Sequence, residues 1–200
     1  MKIYKLGEEV LRKKCVPVKP EEINDTLRGV LNEMFDTMIQ ADGVGLAGPQ
    51  VGIGKRLFVV IADDDVRRVF INPQITATSE EQSDYEEGCL SIPGMYESIR
   101  RPARVTIQAL NEFGKPFTID ADGFLARVVQ HENDHLDGVM FIDRGDKAFA
   151  DKAVETFKRR AARAEKKAAK AAARARSIAD KLAAKAAKTA AKKSIQEGND

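Results

Sequence analysis

The chain has 200 residues, of which 43% are hydrophobic and 32% charged, a composition that suits one folded domain with an extension. No apolar run approaches the roughly 18 residues that a membrane span needs, and none near Met1 resembles a signal peptide. We therefore expect a cytoplasmic protein without a membrane partner. Its two cysteines are too few for a disulfide framework.

The charge is distributed unevenly along the chain. Residues 1–146 carry 17 Lys and Arg against 25 Asp and Glu, a net charge of −8, whereas residues 147–193 carry 16 against 4, a net charge of +12. The basic stretch is rich in alanine, lysine and arginine, which all favour helix. The sequence thus predicts a folded domain over 1–146, a basic helical extension over 147–193 and a disordered tail over 194–200.

The predicted elements of the first 146 residues are a helix, then strands, then a second helix. Apolar spacing predicts the first helix at 21–40, strands at 56–62 and 66–72, and a hairpin at 104–110 and 115–119. Pro73 is expected to close the second strand, although residues 74–78 could extend its pairing, and 79–84 is a polar loop. Asp122 is a suitable N-cap for the second helix. Strands grouped around one helix indicate an α+β domain with antiparallel strands.

The second predicted helix carries the only two histidines of the chain. His131 and His135 are four residues apart, so they share one face of a helix, and Glu132 follows the first of them. Two imidazoles at this spacing can bind one metal ion while the glutamate reaches a water at that ion. The alternative is a chance pattern whose histidines only cap or solvate a helix.

A catalytic metal site usually has three protein ligands. The chain has no further histidine, and the downstream acids Glu155 and Glu165 belong to the basic extension. Cys89 lies in a Gly-Cys-Leu-Ser turn upstream and is the better candidate on chemistry. A glycine-rich segment at 43–54 indicates a backbone that approaches something closely, and Gln50 within it could direct an amide into a cleft.

Three separated motifs resemble those of the peptide deformylases, which remove the formyl group from the initiator methionine of new bacterial proteins. They are GVGLAGPQ at 43–50, EGCLS at 87–91 and HENDH at 131–135, and the resemblance covers about residues 1–146. Gly48 stands where the family usually has alanine. Because only a methyl group is missing, we expect slight local flexibility and no loss of activity.

The resemblance implies that Cys89, His131 and His135 bind one divalent metal ion. Fe²⁺ is the usual physiological metal of the family, whereas a thiolate with two imidazoles also suits Zn²⁺, Ni²⁺ and Co²⁺. Glu132 would move a proton from water to the leaving amine.

The resemblance also implies the groups that meet the substrate. The Gln50 side-chain amide and the Leu90 backbone N–H would stabilise the oxyanion. Gly45 would offer a backbone group to an extended peptide, and Val44 would line the methionine pocket. Tyr96 would lie at the rim of that pocket or be an ordinary half-exposed aromatic. Arg127 could face the same rim, although a solvated arginine is the simpler interpretation.

The expected partners are N-formylmethionyl nascent peptides and, through the basic extension, ribosomal RNA. A monomer is the default because no long apolar seam is present. Two other functions stay open at this stage. One is a nucleic-acid or ribosome-binding protein that acts through its basic tail, and the other is an HExxH zinc protease with an acidic third ligand.

Overall fold

The computed structural model describes the backbone of residues 1–197 and the side chains of residues 1–176. The chain divides into two compact units, Met1–Glu155 and Thr156–Asp200. None of the helices in the described part is both long enough and apolar enough to cross a bilayer.

Seven strands form two antiparallel sheets in the first unit. They are β1 (Gly45–Ala47), β2 (Leu57–Ile61), β3 (Arg67–Thr78), β4 (Gln82–Gly88), β5 (Tyr96–Pro102), β6 (Arg104–Leu110) and β7 (Pro116–Asp122). The larger sheet has the order β1-β2-β3-β6-β7, and β4 with β5 makes a separate two-stranded sheet. Every pair of neighbouring strands is antiparallel, which confirms the predicted α+β fold with antiparallel sheets.

Three α-helices and four short 3₁₀ turns complete the described chain. The helices are α1 (Asp25–Gln40), α2 (Gly123–Leu136) and α3 (Lys147–Glu197), and the turns are Glu9–Arg12, Pro20–Glu22, Gly48–Val51 and Phe141–Asp143. Helix α3 extends over both compact units. It includes 194–197, which the sequence analysis had assigned to the disordered tail, whereas 198–200 lie outside the described residues.

The alternating side chains of β2 pack on opposite faces of the larger sheet. Phe58 belongs to one buried cluster together with Val129 of α2, and Val59 belongs to another together with Met34 and Met38 of α1. Period-two alternation places successive side chains on the two faces of a strand, so β2 lies between the two helices. Each fully buried apolar side chain of this size contributes about 1.5–3 kcal/mol. The packing fixes α2 against the sheet.

Helix α1 begins four residues later than the apolar spacing predicted. Pro20–Glu22 forms a 3₁₀ turn, and Asn24 then caps the helix because its side-chain oxygen accepts a hydrogen bond from the Leu27 N–H at 3.1 Å. An asparagine at this position satisfies an otherwise free N–H of the first turn.

The second strand does not close at Pro73 but continues as β3 to Thr78, so residues 74–78 extend its pairing, the alternative that the sequence had left open. The register of β3 against β6 shifts between Ile71 and Gln74, and Asn72 has a positive φ of 52°. A bulge of this kind lets proline lie inside a strand without removing a ladder hydrogen bond.

Three strands lie where the sequence predicted none. β1 lies within the glycine-rich segment, and β4 begins inside the predicted polar loop at 79–84. Six of the seven β4 residues are exposed, so the strand lacks the apolar alternation by which a half-buried strand is recognised. Its partner β5 was missed as well.

Candidate metal centre

Cys89, His131 and His135 lie together although the first two are 42 positions apart in sequence. One ligand atom from each residue lies within 4.8 Å of those of the other two. Helix α2 places the two imidazoles one turn apart on one face, with ring centroids 5.1 Å apart. Cys89 follows β4 in a tight turn, and its Sγ lies 3.3 Å from His135 Nε2.

The hydrogen-bond partners leave both histidines able to bind a cation. His131 Nδ1 lies 2.8 Å from Glu87 Oε2, and a carboxylate accepts, so Nδ1 carries the proton and Nε2 is free to bind. His135 Nδ1 and Glu132 Oε2 are buried without a hydrogen-bond partner among the described side chains. A thiolate and two imidazoles form a donor set that suits zinc or ferrous iron. The residues therefore fit a divalent metal ion.

The pKa values of the two histidines shift in opposite directions. Burial would lower the pKa of His131, but its interactions with the Cys89 sulfur and the Glu87 carboxylate outweigh burial and raise that pKa well above the ordinary value. Burial, together with the charge of His131, lowers the pKa of His135 well below the ordinary value of a histidine. The cluster thus favours a positive charge beside the sulfur, which in the metal-free chain is the extra proton of His131. A bound metal ion would take the place of that proton and carry a larger charge.

Glu132 is almost fully enclosed, with 4% of its surface exposed. Burial is the main cause that raises the pKa of its carboxyl to about 7. A group with that pKa can accept and return a proton near neutral pH. Gly45 makes the room for it, since a Cβ at Gly45 would lie 2.4 Å from Glu132 Oε1.

Gln50 is held in one orientation beside the sulfur. Its Oε1 accepts a hydrogen bond from the Ala47 N–H at 2.7 Å, so its Nε2 must face the other way. That amide nitrogen donates to Cys89 Sγ at 3.4 Å and to Ser91 Oγ at 3.3 Å. The structure therefore directs an N–H donor at the cluster.

A buried ionic network supports His131 from behind. Glu87 Oε1 accepts hydrogen bonds from Arg101 Nε at 2.6 Å and Arg127 Nη1 at 2.8 Å, while its Oε2 faces His131. Arg101 Nη1 also donates to Asp134 Oδ2 at 2.6 Å. Burial would raise the pKa of Glu87, but the hydrogen bonds from His131 and Arg101 outweigh it and hold that pKa well below its usual range.

The interpretation of Arg127 as a solvated side chain was wrong, because only 4% of it is exposed. Its guanidinium donates to Glu87 and to the backbone carbonyl of Ile99. Sequence reasoning also missed Arg101, which lies in the unrecognised strand β5. The only available signal was Glu87 inside the second motif, because a buried carboxylate needs cationic partners.

A cavity of about 670 Å³ opens beside the cluster. Its wall includes the remaining residues that the sequence singled out, namely Val44, Gly45, Leu90 and Tyr96. Tyr96 is 62% exposed, and Val44 is also exposed. Glu132 and His131 line the cavity and are buried, whereas Tyr96 lines it and is exposed, which suits a chain-like ligand inserted by one end.

Gly48 departs from the expected role of a harmless small residue. A Cβ at this position would lie 2.7 Å from the carbonyl oxygen of Ile53 and 2.9 Å from that of Lys55. The backbone has closed around the glycine, so a methyl group would fit only after those carbonyls moved. The missing methyl therefore leaves no free space at this position, and the expected effects on flexibility and activity stay predictions.

Comparison with known proteins places the chain in a family. Residues 1–150 match the family model described as polypeptide deformylase. The peptide deformylase of Treponema pallidum (strain Nichols) is 54% identical over 157 residues, covering 78% of this chain and 95% of that protein. That of Fusobacterium nucleatum is 51% identical over 143 residues, covering 72% and 82% respectively.

Solved structures agree with this assignment. The crystal structure of a peptide deformylase from Legionella pneumophila superposes with a TM-score of 0.74 at 42% identity, covering 81% of this chain and 97% of that one. A peptide deformylase from Synechococcus elongatus, crystallised in complex with actinonin, gives a TM-score of 0.72 at 42% identity, covering 77% and 85%. The chain belongs to the polypeptide deformylase family.

Proposed function

We propose that this chain is a metal-dependent peptide deformylase that removes the formyl group from N-formylmethionyl nascent peptides and releases formate. The observation that carries the proposal is the meeting of Cys89 with His131 and His135 beside a buried Glu132. An HExxH zinc protease would use an acidic third ligand, whereas the third group within reach here is a thiol.

Cys89, His131 and His135 would hold the metal ion. We propose Fe²⁺ as the resident ion, with Zn²⁺, Ni²⁺ and Co²⁺ as compatible substitutes for this donor set. A bound dication supplies Lewis acidity that lowers the pKa of water from near 16 to roughly 7. Glu87 would keep the proton on His131 Nδ1, which leaves Nε2 as the binding atom.

Glu132 would act first as general base and then as general acid. Its carboxylate takes a proton from the water that adds to the formyl carbon, and it later delivers that proton to the amine nitrogen as the C–N bond breaks. The products are formate and a peptide with a free amino terminus. Its buried carboxyl, with a pKa of about 7, suits both directions of transfer.

Gln50 and Leu90 would stabilise the charge that develops on the formyl oxygen. The Ala47 N–H donates to Gln50 Oε1 and so fixes the orientation of the side-chain amide. The Gln50 Nε2 therefore needs no reorganisation during the reaction. The Leu90 backbone N–H would provide the second donor. One such donor typically lowers the barrier by about 2.7–4 kcal/mol.

The peptide would bind along the free edge of the larger sheet. β1 is the terminal strand of that sheet, so the unpaired backbone groups of Gly45 can bond to an extended chain. Val44 and Tyr96, which line the cavity and are exposed, would contact the methionine and the residues that follow it.

The domain boundary at residue 146, and the limits of the extension, stay predictions.

We further propose that the basic extension over 147–193 binds ribosomal RNA and that the enzyme is a monomer. The support is the net charge of +12 on the extension, which suits contact with phosphates without reading bases. Co-sedimentation with ribosomes should fall steeply as salt is raised. Deletion of 158–200 should abolish both the binding and its salt dependence, and unchanged co-sedimentation would refute the proposal.

The function is tested by formate release from formyl-Met-Ala-Ser with protein purified without oxygen, with the metal content measured on the same sample. The wild type should release formate and leave unformylated Met-Ala-Ser intact. Glu132→Gln should keep its metal and lose the activity, because only the proton carrier is changed. Metal-loaded wild type that releases no formate, or that cuts the unformylated peptide, would contradict the proposal.

A further inference from the structure

Residues 4–6 connect the two segments that carry the proposed oxyanion donors. The Tyr4 N–H donates to the Gln50 carbonyl at 2.8 Å, and the Leu6 N–H donates to the Ser91 carbonyl at 2.9 Å. Between them lies Lys5, whose side chain forms part of the cavity wall. Nothing in the sequence motifs marked this residue.

The Lys5 ammonium binds a backbone carbonyl beside the metal-binding cysteine. Its Nζ donates to the Leu90 oxygen at 2.7 Å, and the side chain is half-buried. Burial lowers the pKa of Lys5, which the nearby Cys89 sulfur partly opposes. Lysine side chains usually keep their ammonium group in water, whereas that of Lys5 is partly desolvated where it reaches this carbonyl.

The same peptide group reaches the sulfur from its other end. The Leu90 carbonyl and the Ser91 N–H belong to one amide, and the Ser91 N–H donates to Cys89 Sγ at 3.4 Å. Hydrogen bonds in series polarise one another, so a cation on the carbonyl strengthens the donor on the nitrogen. A charged Lys5 therefore acts on the thiolate although it does not touch it.

We propose that Lys5 is a positioning residue that tunes the Cys89 thiolate through the Leu90–Ser91 peptide. The inference rests on the proposed function, because it concerns the sulfur as a metal ligand. A thiolate that accepts a stronger hydrogen bond gives less charge to its metal ion, and the ion then acidifies water more strongly. The lysine also fixes the turn that carries the Leu90 N–H.

The test compares three variants loaded with Co²⁺. Lys5→Met removes the charge and keeps the length, Lys5→Arg keeps the charge, and Lys2→Met removes a lysine of the same segment whose ammonium pairs with Glu8 instead. The position of the thiolate-to-cobalt charge-transfer band reports the electron density on the sulfur. Deformylation kinetics are measured on the same samples.

We expect the band of Lys5→Met to move to longer wavelength, with kcat about tenfold lower and KM within about twofold, since changes around metal ligands typically cost 10–100-fold. Lys5→Arg should restore the band and most of kcat, and Lys2→Met should match the wild type. A Lys5→Met band at the wild-type position would overturn the inference, even if stability or kcat fell, because the lysine would then be only a tether. The wild type decides the function separately: failure of the cobalt-loaded wild type to release formate would contradict the proposed function, whatever the variants do.

Discussion

Replacement of Glu87 by glutamine tests the buried ionic network directly. The carboxylate accepts hydrogen bonds from Arg101 and Arg127 and faces His131 Nδ1, and its side chain is 3% exposed. Glutamine keeps the shape but has only one acceptor oxygen. Its NH₂ group must therefore face a guanidinium or the imidazole N–H. Arg127 loses its carboxylate partner, while Arg101 keeps Asp134.

The expected loss of stability is about 3 kcal/mol, the lower end of the range for breaking a buried ion pair, because glutamine keeps one acceptor. For a unit of this size, 1 kcal/mol corresponds to about 2–4 °C, so the melting temperature of the metal-free protein should fall by about 6–12 °C. Metal affinity should fall about 10–100-fold, because His131 loses the partner that fixes its proton.

Thermal unfolding of the metal-free protein separates the two effects, and a chelator competition then measures the affinity of the refolded sample for Zn²⁺. Glu86→Gln is the matched control, since Glu86 is the preceding residue of β4 and is exposed. It should change stability by no more than about 0.5 kcal/mol. If Glu87→Gln melted within about 2 °C of this control, the conclusion that the network is tightly coupled would be refuted.

Three further substitutions follow from close contacts and burial. Gly45→Ala should lower kcat about 100-fold with the metal content unchanged, because the new Cβ would lie 2.4 Å from Glu132 Oε1 and push the carboxylate out of place. An unchanged kcat would show that the carboxylate can move aside without loss of function. Gly48→Ala should destabilise by about 1–3 kcal/mol in urea unfolding, since its Cβ would lie 2.7 Å from the Ile53 carbonyl oxygen, and a neutral effect would refute that packing. Burial raises the pKa of Cys15 to about 11 in the folded chain, from 9.0 otherwise, so its contribution to stability is complete below pH 9 and is lost as the pH rises towards 11. Urea unfolding at pH 8 and 10.5 should show this loss in the wild type and a smaller loss in Cys15→Ala; equal losses would contradict it.

The sequence predicted those elements whose signal is local. Helix α1 was recognised because Leu31, Met34 and Met38 recur at helical spacing and are indeed buried in one cluster. β4 was missed because its exposed polar side chains carry no such period. Its stability as a strand comes from pairing with β5, a partner that no local pattern identifies.

The site shows the same division. The helical spacing of His131 and His135 follows from sequence, and thiolate chemistry pointed to Cys89 as their companion. The arginines behind them could not be inferred, because Arg101 and Arg127 resemble any surface arginine until the fold encloses them. Burial depends on long-range packing, which a single amino-acid sequence does not show.

The separation of β4 and β5 from the larger sheet would give a bound metal ion a mechanical role as well as a chemical one. A two-stranded hairpin is marginally stable by itself. An ion held by Cys89 and His135 would join this hairpin to α2 across a span of 46 residues. A covalent cross-link closing a loop of that length is worth about 4 kcal/mol by loop-closure entropy. Oxidation of Cys89 would therefore remove this cross-link together with the ion and leave the hairpin joined to α2 by the ion pairs of Glu87 and Asp134, so that damage to the catalyst would also loosen a wall of the cavity.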